Sequence, residues 1–151
     1  MLFISAIVCV SFFYCTNGKG YTQAQVCNGT KETIEIVNTC RMNKLLFGKR
    51  SREKMCNNFR SCQGEDLVYH CVRYKDKFVE VCAPRVLITG KCCAQYDAGV
   101  GRVVEDYDRP SQKLPFEYKS DSFWESSKCA ETLKSKSCGS VATGNSSQLL
   151  Q

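Results

Sequence analysis

Cysteine constrains this chain more than any other feature. Twelve are present among 151 residues, and two of them, Cys9 and Cys15, fall in or beside an uncharged opening run from Leu2 to Tyr14. The other ten are Cys27, Cys40, Cys56, Cys62, Cys71, Cys82, Cys92, Cys93, Cys129 and Cys138. An even number at this density is expected to form a disulfide framework in an oxidising compartment. Five bridges among ten cysteines allow on the order of a thousand pairings, so spacing leaves the connectivity open. One constraint follows nonetheless. The side chains of Cys92 and Cys93 point apart and join each other only with strain, so the pair is expected to staple two different elements. Structural zinc is a poor alternative, because no C-x-x-C occurs and His70 is the one histidine. No cofactor or metal is expected.

The opening run sets the compartment. Leu2–Tyr14 spans about 13 apolar residues, which suits a secretory signal and falls short of the ~20 needed to cross a bilayer. Small residues follow at Thr16, Gly18 and Gly20. A signal peptide over 1–18 with cleavage near 18–20 is therefore expected, although the basic residues that often precede such a run are missing. The expected organisation is a single disulfide-rich domain over 21–138 and a disordered tail over 139–151. No later segment has the composition of a membrane span, so a secreted, extracellular protein without membrane insertion is expected.

Four zones follow the leader. In the first, Thr33-Ile34-Glu35-Ile36-Val37 alternates and is β-branched, the pattern of a short strand. Asn28-Gly29-Thr30 just before it is an N-glycosylation sequon, and Asn145-Ser146-Ser147 in the tail is a second. The second zone, 41–60, is basic: Arg41, Lys44, Lys49, Arg50, Arg52, Lys54 and Arg60 stand against Glu53 alone. That net +6 equals the +6 of the whole chain. Such a segment is either an attractive surface for sulfated glycans or an acidic partner, or a solvated loop or helix face. Gly48-Lys49-Arg50 also has the form of a dibasic processing site, but cleavage between Cys40 and Cys56 would nick a bridged domain. Nucleic-acid binding is not expected, since aromatic residues are not interleaved with the cations.

The third zone, 62–104, is expected to hold the dense β core, over 62–93. Residues 67–72 and 77–82 read as strands around a polar turn, Arg73-Tyr74-Lys75-Asp76, with a third strand at 85–89 after Pro84. The fourth zone opens with Glu105-Asp106-Tyr107-Asp108, read as an exposed acidic loop whose tyrosine is a candidate for sulfation. Residues 122–137 read as a helix, with Ser122 and Glu125 forming a capping box and Phe123, Ala130 and Leu133 sharing a face. The predicted fold class is small, disulfide-rich and mainly β, built of short antiparallel hairpins with one C-terminal helix.

Little here points to catalysis. His70 is the sole candidate base, sits in the alternation Val68-Tyr69-His70-Cys71-Val72, and reads as an edge-strand surface residue. Cys92-Cys93-Ala94-Gln95-Tyr96-Asp97 resembles the C-C-x-x-H-D motif of secreted phospholipases A2. Tyr96 stands where that family has its catalytic histidine, and a phenol with a pKa of ~10 is a poor base near neutrality. The glycine-rich calcium loop of those enzymes is also missing. Cystine-knot growth factors require C-x-C spacing, which does not occur.

The third zone carries a resemblance. Cys62, then Cys71-Val72-Arg73-Tyr74-Lys75-Asp76-Lys77-Phe78-Val79-Glu80-Val81-Cys82, is similar to the central hairpin of single-domain von Willebrand factor type C peptides of arthropods, including tick saliva and scorpion venom. Gly90-Lys91-Cys92-Cys93 matches that family's closing double cysteine, and Cys27-Asn28-Gly29-Thr30 its opening turn. The basic stretch between Cys40 and Cys62 is long for the family, and the segment after 94 has no counterpart. The resemblance implies a binding or inhibitory role, with no particular target.

The expectation is thus a secreted, non-enzymatic binder of an extracellular protein, such as a host defence or haemostasis protein if the source is a parasite or venomous animal. Its candidate contacts are Lys49, Arg50, Arg52, Lys54, Tyr74 and Tyr107, together with the hairpin turn. The alternatives are a glycan-binding or matrix component using 41–60, and a protease inhibitor with Lys91 as bait.

Overall fold

A computed structural model describes residues 20–131 of the chain. The leader, the tail, Cys138 and Asn145 lie outside the described residues. Seven strands and two helices follow in order: β1 (Glu35–Val37), α1 (Lys44–Lys54), β2 (Leu67–Tyr74), β3 (Lys77–Pro84), β4 (Leu87–Thr89), β5 (Cys92–Asp97), β6 (Arg102–Pro110), β7 (Glu117–Lys119) and α2 (Phe123–Cys129). Five strands form one sheet in the order β1-β3-β2-β5-β6, and β4 pairs with β7 in a separate ribbon. The protein is small, disulfide-rich and mainly β, with the expected C-terminal helix.

The β2–β3 hairpin is the frame. Its register runs without slippage from Leu67↔Pro84 to Tyr74↔Lys77. The turn is tighter than the four residues expected: only Lys75 and Asp76 lie between the strands. Lys75 has φ 56°, the left-handed conformation that primed two-residue turns demand at their first central position. The strands consequently extend beyond 72 and 82, and β2 lies at the sheet's centre.

Side-chain alternation divides the hairpin into two faces. On one, Val72, Val79, Val81 and Ala83 join Ile88, Ala94, Tyr96, Val103, Leu114 and Tyr118 in the main apolar core. On the other, Leu67, Tyr69, Cys71 and Cys82 meet Cys40 and Cys56, with Phe47 and Phe78 packed alongside. Both faces are covered, so the clean polar-apolar alternation of a solvated sheet is absent.

Four bridges lie within the described residues: Cys27–Cys62, Cys40–Cys71, Cys56–Cys82 and Cys93–Cys129. Their sequence separations run from 26 to 36 residues. Loops of that length restrict the unfolded chain by ~3–4 kcal/mol each in the chain-entropy account. Cys93 ties β5 to α2, so one half of the double cysteine staples separate elements as expected. Cys40 and Cys56 flank α1 and fasten both of its ends to the central hairpin.

Several expectations need correction. The β core does not stop at 93, because β5 and β6 form a long second hairpin reaching Pro110. Glu105-Asp106-Tyr107-Asp108 is therefore a strand segment and not a loop. Glu105 and Asp106 are buried. The first strand is shorter than 33–37, since Thr33 closes a 3-10 turn over Asn28–Thr33. The third strand begins at Leu87. A second and longer helix occupies the basic zone. The C-terminal helix spans Phe123–Cys129, and the remainder of its expected range, 132–137, lies outside the described residues.

Candidate functional site

The basic zone folds as α1, and its geometry assigns its residues to opposite duties. Asn43 caps the helix, its Oδ1 accepting from the Leu46 amide at 2.8 Å. Met55, in the left-handed conformation, ends it one residue before Cys56. Phe47, Arg50, Ser51 and Lys54 recur at helical spacing and are partly buried, forming the inward stripe. That stripe contains one aromatic ring and two cations.

Phe47 stands edge-on to Tyr69 at 5.0 Å between ring centroids and lies 5.4 Å from Phe123 of α2. Arg50 donates from Nε to Glu80 Oε1 at 2.8 Å and pairs through its NH2 with the second carboxylate oxygen. Tyr69 donates its hydroxyl to Glu80 Oε1 at 2.8 Å. Glu80 is only 2% exposed, so its charge is held by these partners and not by water. The bonds to Glu80 hold the Arg50 guanidinium firmly in its charged form, while burial first and then Glu80 push the Tyr69 phenol upward. Lys54 reaches Glu35 of β1 at 3.1 Å, and this bond with its attendant charge holds the Glu35 carboxyl below its ordinary value.

The outward stripe reads Leu45, Lys49 and Arg52, flanked by Lys44 and Leu46. Leu45 is 80% exposed and Leu46 44%. Lys49 makes a loose pair with Glu53 at 3.8 Å. Lys44, Arg52 and Arg60 make no ion pair among the described residues. Beside α1, Val37, Met42 and Leu46 line a shallow groove with Arg41 and Arg50.

The six candidate contacts therefore do not form one surface. Lys49 and Arg52 face outward together, whereas Arg50 and Lys54 are turned inward to carboxylates. Tyr74 lies at the hairpin tip, half-buried against Tyr96 with centroids 5.8 Å apart, and the Lys75 ammonium sits over its ring. Tyr107 and Asp108 are exposed on β6, but Glu105 and Asp106 are buried. Glu105 Oε1 accepts from the Thr89 amide at 3.2 Å and hydroxyl at 3.1 Å, and Asp106 pairs with Arg109 at 3.8 Å. Burial lifts the Asp106 carboxyl. The acidic pattern around Tyr107 thus has a structural use.

Asn28 is exposed at the start of its 3-10 turn. Thr30 is buried, donating its hydroxyl to the carbonyls of Cys27 at 2.8 Å or Gly101 at 2.9 Å and lying 2.7 Å from the Tyr96 hydroxyl. Gly101 has φ 63°, and a side chain there would drive its Cβ into the Cys27 carbonyl. Lys91, also left-handed at φ 57°, has its amide bonded to the Phe116 carbonyl and its own carbonyl to the Ser111 amide. This is a backbone held on both sides, unlike a projecting bait loop.

His70 lies in a central strand and is 0% exposed, which overturns its reading as an edge-strand surface residue. Its Nδ1 lies 3.0 Å from the Val68 carbonyl, which can only accept, so that nitrogen carries the proton. Nε2 then accepts from the Ser120 hydroxyl at 2.9 Å, and Ser120 Oγ accepts from the Val86 amide at 3.0 Å. The chain of bonds links β2 to the β4–β7 ribbon. Burial lowers the imidazole pKa to about 4, against opposing effects from Asp121 and the Val68 bond. Among the described residues, no group of three or more His, Cys, Asp or Glu side chains could hold a metal, and no helix is long and apolar enough to cross a membrane.

The fold and the surface define a bridge-stapled β protein displaying a cationic helix with exposed leucines. Comparison with known protein families, curated proteins and solved structures found no match to the chain.

Proposed function

We propose that the chain is a secreted, non-enzymatic binding protein that engages an extracellular protein through the outward face of α1. The carrying observation is Leu45, four-fifths exposed beside Lys49 and Arg52 on a helix fixed at both ends by bridges. A rigid helix loses little entropy on docking, and an aliphatic anchor ringed by cations suits an acidic surface with an apolar recess. The buried, internally bonded His70–Ser120 pair supports a role without catalysis, because a 2% exposed serine is out of a substrate's reach.

The rival is electrostatic capture of sulfated glycans. It is weakened by the inward use of Arg50 and Lys54, which leaves Lys44, Lys49 and Arg52 as the outward cations of the helix. The inhibitor reading is weakened by the backbone bonds on both sides of Lys91. The test is capture of plasma and cell-surface proteins by the oxidised protein, compared with Leu45→Asp and with Lys49→Glu/Arg52→Glu. A partner lost with both variants supports the proposal. Retention on heparin alone, with all binding gone by about 0.3 M salt, overturns it.

A further inference from the structure

The four bridges are not equally sheltered. Cys40, Cys56, Cys71, Cys82, Cys93, Cys129 and Cys27 are all buried, whereas Cys62 is partly exposed. Its segment is exposed on both sides of the bridge, with Glu65 tied to the buried Arg102. Residues 57–61 and 63–66 are exposed, and the segment's own backbone bonds join Cys62 and Glu65 to each other. Gln63 and Gly64 are both left-handed, with φ 55° and 81°, so the chain doubles back at this point.

That fold places the 60–64 loop opposite Asn28. Cys27 precedes Asn28 and is bonded to Cys62, so the bridge itself joins the two sides. Between them lies a cleft of about 400 Å³, lined by Asn28 on one side and by Arg60, Ser61, Gln63 and Gly64 on the other, with the Cys27–Cys62 bridge shared. The Asn28 side chain is at the surface, where its Oδ1 accepts from Lys31 at 3.2 Å. The cleft offers a guanidinium, a hydroxyl and a carboxamide, groups that bond sugar hydroxyls and an acetamido carbonyl.

We propose that Asn28 carries an N-linked glycan whose first N-acetylglucosamine lies in this cleft and covers the Cys27–Cys62 bridge. The donor is a lipid-pyrophosphate-linked oligosaccharide of the secretory membrane. The Asn28 Nδ2–anomeric carbon bond forms, the bond from that carbon to the pyrophosphate oxygen breaks, one amide proton is lost and the lipid pyrophosphate leaves. Transfer to the nascent chain precedes folding, so the later burial of Thr30 does not oppose it. The sugar's consequence is chemical: reduction begins with attack on an accessible sulfur, and access at Cys62 is what the sugar removes.

The inference shares with the proposed function only passage through the secretory pathway, and its test does not depend on any partner. Protein secreted from eukaryotic cells is peptide-mapped for Asn28 occupancy. Native samples bearing the full glycan, trimmed enzymatically to one sugar, or stripped of it are then partly reduced with a water-soluble phosphine. Alkylation reports which cysteines open first. Removing the whole glycan is expected to speed opening of Cys27–Cys62 by roughly threefold or more, with the single sugar retaining the protection. Asn28→Gln should match the stripped protein, which also serves alone if that variant is not secreted. An unoccupied Asn28, or equal opening rates in all three samples, overturns the inference and leaves the role of α1 untouched.

Discussion

The single histidine makes the pH dependence of stability unusually easy to interpret. Exposed in the unfolded chain, His70 titrates near ~6.5. In the folded protein burial lowers its pKa to about 4. On acidification the unfolded state therefore takes up the proton first. Stability from this residue is complete above the unfolded value and is lost as pH falls towards the folded one. The full difference corresponds to about 3 kcal/mol, of which about 2 kcal/mol falls between pH 7 and 5. Asp106 acts in the opposite sense, because burial lifts its carboxyl and the folded state is then the first to protonate. The assay is urea unfolding with the bridges intact, followed by far-ultraviolet circular dichroism at several pH values for the wild type and His70→Gln. The wild type should lose stability across this range, while the variant, less stable at pH 7, should show a much flatter dependence. Equal slopes would refute the reasoning. So would an NMR titration of the wild-type imidazole with a midpoint near 6.5, a measurement that does not require the variant to fold.

Further expectations concern the frame around the helix. Glu80→Ala leaves the Arg50 guanidinium and Tyr69 hydroxyl without their buried acceptor. It should cost about 3 kcal/mol, read as a lower urea midpoint, with partial exposure of Arg50 keeping the loss from being larger. Thr30→Val keeps the volume but removes a hydroxyl bonded to Cys27, Tyr96 and Gly101, and a loss of about 1–3 kcal/mol is expected in the same assay. Gly101→Ala combines a left-handed φ with a clash against backbone and should exceed the ~1 kcal/mol usual for such a conformation alone. If the leader with Cys9 and Cys15 is removed, Cys92 is expected to bridge Cys138, which lies outside the described residues. Peptide mapping of the oxidised protein should recover that pair alongside the four bridges already described.

The hairpin was legible because local rules agree there. β-Branched alternation, a polar turn and terminal cysteines all mark the same residues, and the observed strands contain both expected runs, extending past each of them into the turn and to Pro84. β5 and β6 were obscured by their composition. Their buried residues include Arg102 and Glu105, held by Gln25, Glu65 and Thr89 from distant parts of the chain, and Arg109, which bonds the Cys129 carbonyl and pairs with the buried Asp106. A sequence pattern registers those charges as surface, because pairing across more than ten residues leaves no periodic trace. His70 was misread for a related reason. Its partner Ser120 lies 50 positions away, and nothing near it foretells a second ribbon closing over β2.

The basic helix shows most clearly what charge counting misses. Read linearly, 41–60 is a nearly uncompensated run of cations, which favours an electrostatic surface. Folded, it recruits Glu35 and Glu80 from neighbouring strands and Glu131 from beyond α2, so acids remote in sequence become its counterions. Two consequences follow from the inward turn of Arg50 and Lys54. The helix cannot be held by apolar burial alone, since its inward stripe contributes one phenylalanine, and the bridges at Cys40 and Cys56 supply the constraint that burial does not. Its apolar residues are also displaced from the side where a globular helix would place them, which leaves Leu45 and Leu46 in solvent. Recognition by this face should then depend on the leucines at least as much as on the cations. The discriminating comparison is Leu45→Asp against Arg52→Glu at fixed ionic strength. A partner that ignores the first change and responds only to the second would assign the helix to electrostatic capture.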